Sequence, residues 1–174
     1  MKTYKLKGII AVAAIALLQF SGAFAQSADA GSKTRLGIGL SLGVPTKSAL
    51  GDFVIAPDLR LQHDLSKSIS ITLTTGYYGF AGKEEIDGEK LSSDLIPLKV
   101  GAKFFFGDAF YFQPEVGVSF STKKDFGNHF TYAPNLGYVN NNWDFGLRYE
   151  GFESFEFSEG MVAARIAYAF KIGK

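Results

Sequence analysis

What most constrains this chain is a strict alternation that recurs along it. In "WDFGLRYE" (143–150), Trp143, Phe145, Leu147 and Tyr149 share one parity, and Asp144, Gly146, Arg148 and Glu150 the other. A period of two is the mark of a β-strand with two unlike faces. Seven other segments obey the same rule. They run over 35–44 ("RLGIGLSLGV"), 53–64, 68–79, 94–106, 110–121, 130–139 and 161–172. In each, Leu, Ile, Val, Phe and Tyr oppose a face of Gly, Ser, Thr and Ala with occasional charges. No long helical pattern follows residue 26, so the chain is all-β.

The connections alternate as well. Three are tight: "LSK" (65–67), "GDA" (107–109) and "NN" (140–141). Four are longer: 45–52, 80–93, 122–129 and 151–160. Eight strands with short turns at one end and long loops at the other form an up-and-down antiparallel barrel. Such a barrel can sit in a membrane because closing the sheet satisfies every backbone group. Hairpin folding about 108 pairs Phe106 with Phe110 and Phe104 with Phe112. Folding about 140–141 sets Tyr138 beside Trp143 and Leu136 beside Phe145. Pro57, Pro97, Pro114 and Pro134 fall inside strands, where each lacks a ladder donor; bulges or strand starts are expected there.

The N-terminus adds a compartment. Lys2, Lys5 and Lys7 precede an apolar run from Ile9 to Leu18, and "SGAFAQ" places Ala23 and Ala25 as a cleavage site. Residues 1–25 therefore read as a secretory signal peptide, 26–34 as a short linker and 35–172 as the barrel. An uncleaved anchor is the alternative, but the run is shorter than the roughly 20 residues that span a bilayer. The chain has no Cys, which excludes a disulfide framework and a lipidated N-terminal Cys. Beyond residue 25 there are 15 basic and 17 acidic residues and no basic run, so a nucleic-acid partner is not expected.

Which face is wet separates a membrane barrel from a soluble lipocalin-like one. The apolar parity carries no mid-strand charge, where one Arg or Lys facing lipid would cost roughly 2–4 kcal/mol. Aromatics gather near the short turns: Phe104, Phe106, Phe110, Phe112, Tyr138, Trp143, Phe145, Tyr168 and Phe170. They read as an interfacial girdle, with Tyr77, Tyr132, Tyr149 and Phe53 toward the other end. The other parity is small residues punctuated by Asp58, Arg60, Lys99, Lys103, Glu115, Asp144, Arg148, Glu150, Arg165 and Lys171, as a narrow lumen filled by side chains requires. The expected orientation puts short turns in the periplasm and long loops outside the cell.

The segments "IPLKVGAKFFFG" (96–107), "YFQPEVGVSF" (111–120), "NWDFGLRYEGF" (142–152) and "RIAYAF" (165–170) resemble the small outer-membrane β-barrel family common in Bacteroidota. In size and strand number the chain is similar to OmpX and the OmpA transmembrane domain. The resemblance implies an outer-membrane location, outer-membrane lipid as surroundings and insertion by the barrel-assembly machinery. It implies little about activity. Arg165 departs from the Gly usual in the terminal assembly signal, and "KIGK" follows Phe170.

The lumen charges are the one constellation with chemistry. Lys103 and Glu115 are expected to pair diagonally across their hairpin, Arg148 and Glu150 to follow on one face, and Arg60 and Arg165 to join across the barrel. The expected result is an ion-paired plug; a narrow proton or ion pore is the alternative. A lipid A-modifying enzyme is weighed on "HFT", His129 and Thr131, since the family's deacylase uses a His-x-Ser pair on its outer surface; catalysis is not expected. His63 has no spaced metal partners, and no metal or cofactor is expected. A structural or adhesive role remains, with a surface partner reached through 80–93 and 151–160. Phe152, Phe155 and Phe157 are its candidate contacts.

Overall fold

The computed structural model describes residues 34–47, 52–81, 85–86, 89–90, 94–123, 127–154 and 157–172. Residues 1–33, which hold the expected signal peptide and linker, lie outside them, as do Phe155 and the side chain of Phe157. Eight strands form one barrel: β1 (Thr34–Pro45), β2 (Phe53–Asp64), β3 (Ile69–Gly76), β4 (Leu95–Phe106), β5 (Phe110–Ser121), β6 (Asn128–Asn140), β7 (Trp143–Ser154) and β8 (Phe157–Ile172). Every strand is antiparallel to its sequence neighbour, and β8 closes on β1 from Thr34↔Ile172 to Pro45↔Met161. Closure leaves no edge strand in the barrel. A two-rung hairpin, Glu85–Ile86 with Glu89–Lys90, lies in the loop after β3.

The stagger is read by following partners around the wall. From Leu36 the path runs through Leu61, Leu73, Val100, Val116, Tyr132, Gly151 and Gly160. Gly160 O then accepts from Thr46 N, ten residues beyond the start. Ten residues over eight strands tilts them by about 40°. An even stagger also keeps every inward residue inward across the seam. Strands of 12 residues, such as β1, β4 and β7, exceed the roughly 9–11 that a tilted strand needs to cross hydrocarbon.

The two faces fall as the alternation requires. Outward, Leu40, Val100, Leu136, Leu147 and Ile166 are exposed. Inward, Ser70, Thr72, Lys99, Gln113, Glu115 and Arg148 are buried. The usual arrangement of a soluble domain is inverted, and the interior is the polar side.

Three expectations need correction. The turn between β6 and β7 is centred on Asn141–Asn142, so Trp143 faces Asn140, Phe145 faces Tyr138 and Leu147 faces Leu136. This is two residues from the register first expected. Asn141 takes the left-handed backbone (φ 55) that Asn tolerates, and "NNN" (140–142) offers more than one place to turn. A slip of two preserves the faces, which is why alternation did not detect it. The hairpin about Gly107 keeps the expected pairs Phe106↔Phe110 and Phe104↔Phe112.

Second, the prolines inside the strands are not bulges. Pro114 faces Pro134 across β5 and β6 in unbroken register. The ladder lapses instead on their other sides, at Ala102–Lys103 of β4 and Tyr149–Glu150 of β7, and resumes without a shift. Pro57 interrupts β3 in the same way. Tyr77 N donates to Pro57 O at 3.0 Å, no return donor exists, and the strand resumes in register as Gly79–Ala81. Pro97 sits near the start of β4, where its carbonyl accepts from Thr75 Oγ1 at 2.9 Å.

Third, 151–160 is mostly strand. β7 and β8 stay paired out to Ser154↔Phe157, so the segment is a β-ribbon.

Candidate functional site

Among the described residues, the fold concentrates charged groups away from water in the lumen. Asp58, Arg60, Lys99, Lys103, Glu115, Asp144, Arg148, Glu150 and Arg165 are all buried there. Each comes from the polar parity of its strand, and the stagger stacks them in layers.

Near the short turns, Arg35 pairs with Asp64 at 3.2 Å, and Asp64 also accepts from Gln62 and Ser70. One layer up, Asp144 accepts from Lys103 Nζ at 2.6 Å and Tyr111 Oη at 2.5 Å. Lys103 Nζ also lies 4.0 Å from the centre of the Tyr111 ring, a cation–π contact. In the middle, Glu115 accepts from Thr74 Oγ1 (2.6 Å), Asn135 Nδ2 (3.2 Å) and Arg60 Nη2 (3.4 Å). Arg60 also donates to Gln113 Oε1 and Thr74 Oγ1. Arg165 clamps both oxygens of Asp58 at 2.8 and 2.5 Å. Above these, Glu150 Oε1 accepts from Lys99 Nζ (2.5 Å) and Tyr78 Oη (2.6 Å).

These partners cross the barrel. Lys103 on β4 reaches Asp144 on β7, and Arg60 on β2 reaches Glu115 on β5. The expected Lys103–Glu115 pair is not formed. Glu115 stands opposite Gly101 and turns to Arg60 and Lys99, while Lys103 turns across the lumen. Arg148 and Glu150 do come together, with Nε 3.4 Å from Oε2. Lys171 lies at the short-turn mouth and is exposed; with Arg35, Asn141, Asn142 and Ala169 it lines a cavity of about 180 Å³.

Above the charges lies a layer that the alternation did not announce. Val54, Ala56, Tyr78, Phe80, Leu95, Phe152 and Met161 form a buried apolar cluster inside the long-loop end. The Phe152 ring meets Tyr78 and Phe80 edge-on at 5.9 and 6.3 Å. Phe152, expected as a surface contact, is thus 0 % exposed and forms part of the interior. The signal was present: Tyr78, Phe80 and Phe152 stand on the polar parity of their strands. Ending the last of these strands at Glu150 hid it.

The girdle residues turn outward at the short-turn end. Phe104, Phe106, Phe110, Tyr138, Trp143, Phe145 and Phe170 are exposed, and Phe112 and Tyr168 partly so. Their rings touch in pairs: Phe110 with Tyr138 at 5.1 Å, Trp143 with Tyr168 at 5.1 Å and Tyr168 with Phe170 at 4.8 Å. His129 and Thr131 both turn inward, and Thr131 Oγ1 lies 2.6 Å from Ser119 Oγ. His63 Nδ1 lies 2.9 Å from Thr34 Oγ1.

Comparison with solved structures places this architecture. The chain is similar to the attachment invasion locus protein Ail of Yersinia pestis, solved with the heparin analogue sucrose octasulfate (TM-score 0.58, 13 % identity, 81 % of this chain and 100 % of that one). It is similar to Neisserial surface protein A (TM-score 0.56, 12 % identity, 82 % and 100 %). It is also similar to a de novo designed transmembrane β-barrel (TM-score 0.53, 15 % identity, 82 % and 99 %). The fold is that of the small outer-membrane barrels. A designed barrel shares it, so the likeness carries architecture alone. No protein-family model and no curated protein matches the chain.

Proposed function

We propose that this chain is a resident of the bacterial outer membrane, a non-conducting barrel whose strands anchor loops at the cell surface. The observation that carries this is the pair of opposite faces. A continuous belt of exposed Leu, Ile, Val and aromatic side chains surrounds a lumen closed by its own ion pairs and, at one end, by the Phe152 layer. Soluble monomers rarely expose apolar patches beyond a few hundred Å², so lipid is the solvent that suits this exterior. Short turns in the periplasm and long loops outside fit a chain that arrives from the periplasm and is inserted by the barrel-assembly machinery. The quoted strand motifs also favour kinship with the Bacteroidota barrels.

A pore would need a water-filled path, and the apolar layer interrupts one. A lipid A enzyme would need His129 and Thr131 on the outer surface, whereas both face inward. A lipocalin-like pocket would need an apolar interior cavity, whereas the interior here is charged. What remains is support and recognition. The β7–β8 ribbon and the segment 80–93 are proposed to meet a surface partner, the kind of role the name of Ail states for that protein.

Two assays on the mature chain refolded into detergent test this reading. The expected outcomes are slower or faster gel migration before boiling than after, and no unitary conductance in planar bilayers. Steady conductance through a heat-modifiable barrel would replace the non-conducting reading with a pore.

A further inference from the structure

Among the described residues, the charges of the middle lumen do not balance. It holds five cations, Arg60, Lys99, Lys103, Arg148 and Arg165, against four carboxylates, Asp58, Glu115, Asp144 and Glu150. Arg35 and Asp64 pair at the short-turn rim. The fifth buried carboxylate, Glu159, stands opposite Phe152 at the level of the apolar layer, apart from these charges. Each carboxylate has a closer cation: Arg165 on Asp58, Lys103 on Asp144, Lys99 on Glu150 and Arg60 on Glu115. Arg148 is the one left over.

Its surroundings agree. Arg148 is 2 % exposed, and Nε, Nη1 and Nη2 have no hydrogen-bond partner. Its nearest charge is Glu150 Oε2 at 3.4 Å, and its guanidinium lies 5.5 Å from the centre of the Tyr78 ring. A guanidinium offers five donors, and leaving a buried charged donor unmet is costly. Ser41 Oγ shares the condition, whereas Arg165 Nη1 lies 3.8 Å from Asp144 Oδ2. The register sets Arg148 and Ser41 in one sector. Arg148 stands beside Ala163, Ala163 beside Gly43, and Ser41 between Ala56 and Arg165.

We propose that this sector holds one small monovalent anion of the halide class, bound by the Arg148 guanidinium with Ser41 Oγ beside it. Water could satisfy the donors, but it would leave the extra positive charge in a low-dielectric interior. One anion does both. A dianion would reverse the imbalance. The apolar layer shuts the long-loop end, so the ion enters during folding or through the polar short-turn mouth.

The test is crystallisation of the refolded mature barrel in sodium bromide with anomalous diffraction. The expected result is a single buried bromide against the Arg148 guanidinium, lost in Arg148→Met while the gel shift shows that variant still folded. Ordered waters alone around Arg148, bromide only on the exterior, or a buried bromide unmoved by Arg148→Met would each overturn the proposal. If Arg148→Met does not fold, the wild-type crystal decides by the presence or absence of bromide at that guanidinium. Barrel formation is read separately from the gel shift, so loss of the anion site leaves the outer-membrane reading intact.

Discussion

The two layers of the lumen solve the same problem by opposite means. The middle layer is charged and crosses the barrel with ion pairs. The layer beneath the long loops is apolar and seals by ring packing around Phe152. Both fill an eight-strand interior, yet only the first depends on complementarity between groups far apart in sequence. Arg165 meets Asp58 across 107 residues, and Lys103 meets Asp144 across 41. A charged layer therefore fails when one member is lost, because its partners stay buried and unpaired. An apolar layer fails by leaving a hole.

The sharpest way to break the comparison is Glu115→Ala. Thr74, Asn135 and Arg60 lose their acceptor together, and urea unfolding in lipid vesicles should register a loss of about 3–5 kcal/mol. Conductance should stay absent, since the apolar layer is untouched. Phe152→Ala should cost about 3 kcal/mol by the same assay, and it alone should introduce current bursts in planar bilayers. If Glu115→Ala conducts and Phe152→Ala does not, the roles of the layers are reversed.

Smaller changes sharpen the picture. A Cβ on Gly117 would lie 2.0 Å from Leu98 O, a backbone atom that cannot swing away, so Gly117→Ala should cost about 1–3 kcal/mol. On Gly37 the nearest atom would be 3.6 Å away, and Gly37→Ala should stay within about 0.5 kcal/mol. Ser41→Ala should be the mildest interior change, within about 0.5 kcal/mol, because its hydroxyl has no protein partner to lose.

Alternation made the strand number, the faces and the outward girdle legible, because parity survives tilt, closure and a slip of two residues. The hairpin at 141–142 shows the limit: three successive asparagines leave the turn undetermined while every face stays correct. The lumen charges were legible as a set but not as pairs. Lys103 and Glu115 are near in sequence and on one hairpin, yet the tilt of the wall hands each a partner from elsewhere. The apolar layer was missed for a different reason. Tyr78, Phe80 and Phe152 are hydrophobic residues on a parity otherwise read as polar, and near strand ends such residues pass for loop.

The Trp143–Tyr149 face is expected to meet lipid. Trp143 is the only tryptophan in the chain and points outward in the short-turn girdle, so its fluorescence reports this directly. In vesicles containing brominated lipids, the expected result is strong quenching by bromines placed near the headgroup, weaker quenching by bromines at the chain ends, and little quenching by aqueous iodide. Ready quenching by iodide, with none from any brominated lipid, would contradict it.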